Sequence, residues 1–180
     1  MPNQVTDNLL VSRILTGDKA SFRILVERYQ NLVFTIAFRI TNKREEAEEV
    51  AQDVFMKVYN SLGNFKGDSK FSSWLYRIAH NTALTKIRGR KEEFKQIDTT
   101  TDFYSGAAVL NEAEQSFTKE DLNKAINMLD PEEATIITLF YLSEQSLDEI
   151  AQILNIEANA AKVRLFRSRK KLREKMELIG

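Results

Sequence analysis

Apolar residues recur along this chain at spacings of three and four, and the pattern predicts helices almost throughout. The longest run, Phe22, Leu25, Val26, Tyr29, Leu32, Val33, Ile36, Ala37 and Ile40, predicts a central core helix opening at Asp18 and breaking at Thr41-Asn42. Before it, a helix from Asp7 to Thr16 is expected to turn Leu9, Leu10, Ile14 and Leu15 inward and to stop at Gly17. After it, a helix from Arg44 to Leu62 sends Ala47, Val50, Ala51, Val54, Phe55 and Val58 to the core and ends at Gly63. A fourth helix follows the loop from Asn64 to Lys70 and continues to about Phe94. Leu75, Ile78, Ala79 and Thr82 form its core stripe, while Trp74, Arg77, Asn81, Thr85 and Arg88 share another.

From 95 to 117 the periodicity disappears, and the stretch reads as a linker with a short helical turn near Leu110. A solvated tether and an acidic strand lying in a nucleic-acid channel are its two readings. Thr118 with Asp121 then forms a capping box for a helix burying Leu122, Ala125, Ile126 and Leu129. Asp130-Pro131-Glu132-Glu133 is a strong helix start. The helix it opens carries Ile136, Ile137, Leu139, Phe140 and Tyr141 around most of its circumference, so it must be largely enclosed. Ser146 and Glu149 cap LDEIAQIL, Asn155-Ile156 turns the chain, and a last helix runs from about Glu157 nearly to the end. The expected fold is all-α: two small helical domains, residues 7–94 and 118–178, joined by a flexible linker over 95–117, the second a helix-turn-helix.

Composition narrows the chemistry. The 180 residues are 43% hydrophobic and 29% charged with only six Gly and two Pro, which suits a soluble helical protein. With no Cys and one His, a zinc site, a thiol nucleophile and a histidine-based triad lack their residues. No glycine loop cradles a phosphate, so no enzyme, cofactor or metal is expected. No apolar run reaches membrane-spanning length and the first residues lack a basic-then-apolar leader, so a cytoplasmic protein with no membrane insertion is expected.

Net charge is zero, but its distribution is uneven. Acidic residues crowd the third helix, where Glu45, Glu49, Gln52 and Met56 line the face opposite the core and Glu48 and Asp53 flank them. Such a face is either solvated or docks onto a basic partner, with only Lys57 nearby to offset it. Basic residues crowd the last helix. There Ala161, Leu165, Ser168 and Leu172 define an inward stripe, leaving Val163, Phe166, Arg167 and Lys170 outward. An apolar pair between cations suits a DNA major groove, where it meets thymine methyls while Arg reads guanine or phosphate. The alternative for this helix is an acidic protein or a membrane surface.

Three segments in this order resemble bacterial RNA polymerase sigma factors of the extracytoplasmic-function group. EEAEEVAQDVFMKVY (45–59) resembles the polymerase-docking segment. FKGDSKFSSWLYRIAHNTALTKIRGRK (65–91) resembles the promoter-melting helix and its leading loop. The stretch 129–172 resembles the C-terminal promoter domain. The resemblance implies that Glu49, Gln52 and Asp53, with Met56 beside them, hold the polymerase clamp helices. Asn81 would contact the minus-ten element, and Phe65 to Lys70, including Lys66, Asp68 and Ser69, would form the loop that accepts a flipped base. Trp74, Arg77 and Arg88 would support strand separation and backbone contact, and Lys162, Val163, Phe166 and Arg167 would read the minus-thirty-five element. Core RNA polymerase, promoter DNA as duplex and melted strand, and an anti-sigma factor are the implied partners. The chain departs from the family at Ala160-Ala161, often Thr-Val, and at His80, often Arg or Val. The competing function is a stand-alone helix-turn-helix transcriptional regulator, for which the aromatic stripe of the first domain has no use.

Overall fold

The computed structural model describes residues 5–95 and 118–179, which form α-helices without a strand among the described residues. In chain order these are α1 (Asp7–Leu15), α2 (Lys19–Thr41), α3 (Arg44–Ser61), α4 (Phe71–Lys95), α5 (Lys119–Asn127), α6 (Pro131–Tyr141), α7 (Leu147–Leu154) and α8 (Ala158–Glu177). The linker expected over 95–117 begins one residue late, because Lys95 still belongs to α4; the rest of it, with the turn near Leu110, lies outside the described residues.

In the first domain α2, α3 and α4 pack pairwise around Leu25, Val33, Ile36, Val50, Val54, Val58, Leu75 and Ala79, all buried. The Asp18 carboxylate accepts from the backbone N–H groups of Ala20 and Ser21 and so starts α2, while Asn42 in the left-handed region ends it. Two sequence expectations shift here. In α1 the buried stripe is Leu10, Val11 and Ile14, and Leu9 and Leu15 are exposed, because α2 covers only one narrow face of so short a helix. At Gly63 the chain does not stop but tightens into a 3-10 turn over Leu62–Asn64; in this connection the left-handed glycine is Gly67, φ 79°.

The second domain is α5 to α8, with α6 buried from Ala134 to Leu139 as its core. Enclosure of that helix ends sooner than expected, since Tyr141 is exposed. Reciprocal bonds between Ser146 and Glu149 open α7, and Asn155 closes it at φ 53° and ψ 50°. That left-handed turn sets the angle between α7 and α8. Glycine adopts this conformation freely, whereas a β-branched residue resists it at a cost of about 1–2 kcal/mol. Asn155→Gly should therefore hold or raise the urea midpoint and Asn155→Val should lower it; equal midpoints would remove the backbone account.

The two domains touch. The buried Ser73 hydroxyl of α4 donates to the Gln145 side-chain oxygen at 2.8 Å, just ahead of α7. Lys70 pairs with Glu149 at 3.0 Å, and Arg39 of α2 donates to the side-chain oxygens of Asn127 and Asn123. Burial pushes the Arg39 pKa down, a sign of how far this guanidinium is withdrawn from water.

Candidate nucleic-acid interface

The expected recognition helix sorts its cations into two sets. Arg164 pairs with Glu132 at 3.0 Å, Lys171 with Glu133 at 2.5 Å, and the Arg169 guanidinium lies 5.7 Å and 5.4 Å from the Phe140 and Tyr141 rings. These three fasten α8 to α6. Lys162, Arg167 and Lys170 make no ion pair among the described residues and are exposed. Between them stand Val163, 49% exposed, and Phe166, 72% exposed, while Ala161, Leu165 and Ser168 are buried. An apolar pair this open, ringed by free cations, is poorly suited to water alone and well suited to a groove of stacked bases and phosphates.

On α4, Arg77, Asn81, Thr85 and Arg88 are exposed along one stripe, and the Thr85 hydroxyl is spent on the Asn81 carbonyl at 2.9 Å. Trp74 is half-buried. Its ring lies 5.4 Å from Phe65 and 5.9 Å from Phe71, and Phe65 meets Phe71 edge-on at 5.6 Å. Phe65 thus anchors the loop to the start of α4, leaving Lys66 and Asp68 exposed and Ser69 half-buried. The loop and the stripe form one continuous surface of aromatic edges, amide and guanidinium groups.

The outer face of α3 presents Glu49, Gln52, Asp53 and Met56 to solvent, Met56 at 65%. Its charge is offset differently from the expectation that named Lys57. Lys57 donates to the Thr82 hydroxyl instead; besides Lys43, which shares Glu46 at 3.2 Å, the offsets come from Lys86 to Glu49 at 2.7 Å, Arg90 to Glu46 at 3.2 Å and Arg44 to Glu48 at 2.9 Å. Helix α4 runs alongside α3 and supplies two of these cations. Glu45 and Asp53 make no ion pair among the described residues.

Sequence reasoning gave none of the residues that join the domains an inter-domain role, although it read Glu149 as a helix cap and Lys70 as part of the loop. Ser73, Gln145 and Glu149 place α7 beside the start of the α4 stripe, and Arg77 faces the helix-turn-helix corner at Asn155 to Ala158 across an open cavity of about 950 Å³. Burial raises the Glu149 pKa, but the Ser146 backbone N–H and the Lys70 ammonium outweigh it, so the carboxyl lies below its ordinary value and stays ionised against Lys70. His80, half-buried nearby, is held below the usual histidine range chiefly by burial, with Asn81 and Glu132 opposing. Its Nδ1 has no hydrogen-bond partner among the described residues. Both sequence signals were weak: Ser73 is a small polar residue between stripes, and His80 stands alone.

A helical pair of domains, one with an exposed amide and guanidinium stripe beside half-buried aromatics and the other with a helix-turn-helix, is the build of a promoter-recognition protein. Residues 25–93 match the sigma-70 region 2 family and residues 119–172 match sigma-70 region 4. The chain is 33% identical to the RNA polymerase sigma-H factor of Pseudomonas aeruginosa, over 94% of this chain and 93% of that one. It is 34% identical to the ECF RNA polymerase sigma-E factor of Escherichia coli K12, over 98% and 97% respectively. Among solved structures it matches the sigma factor RpoE in complex with the anti-sigma factor NepR from Bartonella quintana. That match has a TM-score of 0.71 and 26% identity, covering 87% of this chain and 96% of that one. The chain belongs to the extracytoplasmic-function sigma factors: it binds core RNA polymerase and directs promoter-specific transcription initiation.

Proposed function

We propose a division of labour between the two domains, residues 7–94 and 118–178, that follows their exposed faces. The outer face of α3, with Glu49, Gln52, Asp53 and Met56, docks onto core polymerase. The loop at Phe65, Lys66, Asp68 and Ser69 and the stripe Trp74, Arg77, Asn81 and Arg88 capture the melted minus-ten strand. Lys162, Val163, Phe166, Arg167 and Lys170 of α8 read the minus-thirty-five duplex. The observation that carries this reading is on α8, where Lys162, Arg167 and Lys170, none of them engaged with α6, flank exposed Val163 and Phe166.

Capture of unpaired bases is the chemical task, since stacking an unpaired base is worth about 1–3 kcal/mol and tolerates sequence, while amides supply selection. The protein itself makes and breaks no covalent bond in this account. It works in the cytoplasm with the polymerase and needs no cofactor. Its likeness to a sigma factor solved with an anti-sigma factor supports an inhibitor of that kind as a regulatory partner.

The arrangement with α4 against α7 is a closed one. Elements centred 10 and 35 positions upstream of a start site lie about 85 Å apart along B-DNA at ~3.4 Å per base pair. A compact chain of this length has a radius of gyration of roughly 16 Å. Residues 96–117, fully extended, reach at most about 75 Å, so separated domains can span the two elements only when α7 leaves α4.

The direct test of docking is charge reversal at α3. The double variant Glu49→Lys, Asp53→Lys should lose at least tenfold in affinity for core polymerase, equivalent to about 1.4 kcal/mol, by fluorescence titration. Both residues are exposed, so thermal unfolding should move little. Unchanged affinity would remove α3 from the docking surface.

A further inference from the structure

The first turn of α1 comes to rest against the loop that leads into α4. Between them lies an open cleft of about 390 Å³ with Thr6, Asp7 and Asn8 on one side and Gly67, Ser69, Phe71 and Ser72 on the other. That is room for a nucleobase. Phe71, 2% exposed, supplies an apolar floor. Gly67 makes the loop turn back on itself through a left-handed conformation that a side chain would strain.

The α1 side of this cavity is held unusually firmly for a helix of nine residues. Arg28 of α2 donates to the Asp7 carboxylate and to the Val5 carbonyl at 2.9 Å, and the Tyr29 hydroxyl donates to the other Asp7 oxygen. Burial together with Asp7 pushes the Tyr29 hydroxyl well above its ordinary pKa, so it remains a donor. Asp7 is thereby fully engaged, its charge countered by Arg28. What remains free toward the cavity is chemically different. The Asn8 carboxamide makes no hydrogen bond among the described residues and neither do the Ser69 and Ser72 hydroxyls. A carboxamide offers a donor and an acceptor side by side, the pattern that pairs with a base edge. At the rim, Lys70 contributes an ammonium that in the closed arrangement is held by Glu149 and that separation of the domains releases for a phosphate.

We propose that Asn8 is a base-reading residue, hydrogen-bonding the edge of an unpaired promoter base seated in the loop, so that α1 sets base preference at one minus-ten position. This rests on the reading of residues 65–70 as a base-accepting loop. Fixing α1 by Asp7, Arg28 and Tyr29 then acquires a purpose. A reading group must be placed to within a fraction of an ångström, and a two-turn helix held by one apolar stripe would not place it.

The test uses the holoenzyme and a template library randomised across the minus-ten element, scored by transcript abundance. Asn8→Ala should flatten preference at one position by about tenfold and leave the other positions as they are; Asn8→Asp, which keeps size but loses the donor, should favour a different base at that same position. A preference profile that superimposes on the parent, or a uniform loss on every template, overturns the proposal. Asn81→Ala run alongside separates the two readings. If it impairs opening while Asn8→Ala changes nothing, only the role of Asn8 fails; if neither variant changes anything, the minus-ten surface itself is misplaced.

Discussion

Tying α4 to α7 should abolish transcription, and cutting the tie should restore it. The chain has no cysteine, so Ser73→Cys with Gln145→Cys creates a unique pair that a short, reducible thiosulfonate crosslinker can bridge before polymerase is added. The native side chains meet at 2.8 Å, and the replacement of Gln by Cys leaves a gap that such a linker fills. If α4 takes the minus-ten strand and α8 the minus-thirty-five element, as proposed, the bridged protein cannot engage both at once, because the two elements are about 85 Å apart at ~3.4 Å per base pair. The expected result is a fall of at least fiftyfold in transcript from a promoter that needs both elements. Dithiothreitol should recover the activity of the uncrosslinked double variant. If the bridged protein transcribes normally, the closed arrangement is compatible with promoter engagement and the requirement for opening is wrong. The uncrosslinked variant carries its own information: it loses a buried hydrogen bond worth about 0.5–1.5 kcal/mol to the closed state, so it should open more readily than the parent.

Legibility in the sequence followed the range of the interactions involved. The helices of both domains could be read because each buries a stripe set by local spacing, and caps such as Thr118–Asp121 and Ser146–Glu149 act within four residues. The outward set on α8 could be read for the same reason, since burial of Ala161, Leu165 and Ser168 fixes what faces away. Helix α1 was misjudged at Leu9 and Leu15 because two turns leave the apolar stripe ambiguous until a partner is placed. The offsets on α3 were misjudged because Lys86 and Arg90 arrive from another helix. Ser73 and Gln145 are 72 residues apart, and neither residue type announces a partner. The cavity beside Asn8 is of the same kind. Periodicity reports which side of a helix is covered and is silent on which polar residues of different helices meet.

Asn81→Ala should slow promoter opening far more than it weakens binding to core polymerase. Asn81 is exposed on α4, and the residue's backbone carbonyl, not its side chain, accepts from Thr85, so truncation leaves the helix intact. Under the proposed function the lost carboxamide is a selective contact to an unpaired base, for which discrimination of about 1–3 kcal/mol is the usual scale, or roughly 5- to 150-fold in the open complex. In the proposed division of labour docking falls to the outer face of α3, which Asn81 does not contact through any hydrogen bond or ion pair among the described residues. Permanganate reactivity of melted thymines, followed against time at saturating core, reports the opening step; titration of labelled protein with core reports the docking step. A template carrying a pre-melted bubble at the minus-ten element should rescue much of the defect, because the cost of separating the strands is then already met and only base selection remains. Equal losses in docking and opening would show that Asn81 supports the fold of α4 rather than the promoter strand. A defect that the bubble does not relieve would move the role of Asn81 from capture of the strand to a later step.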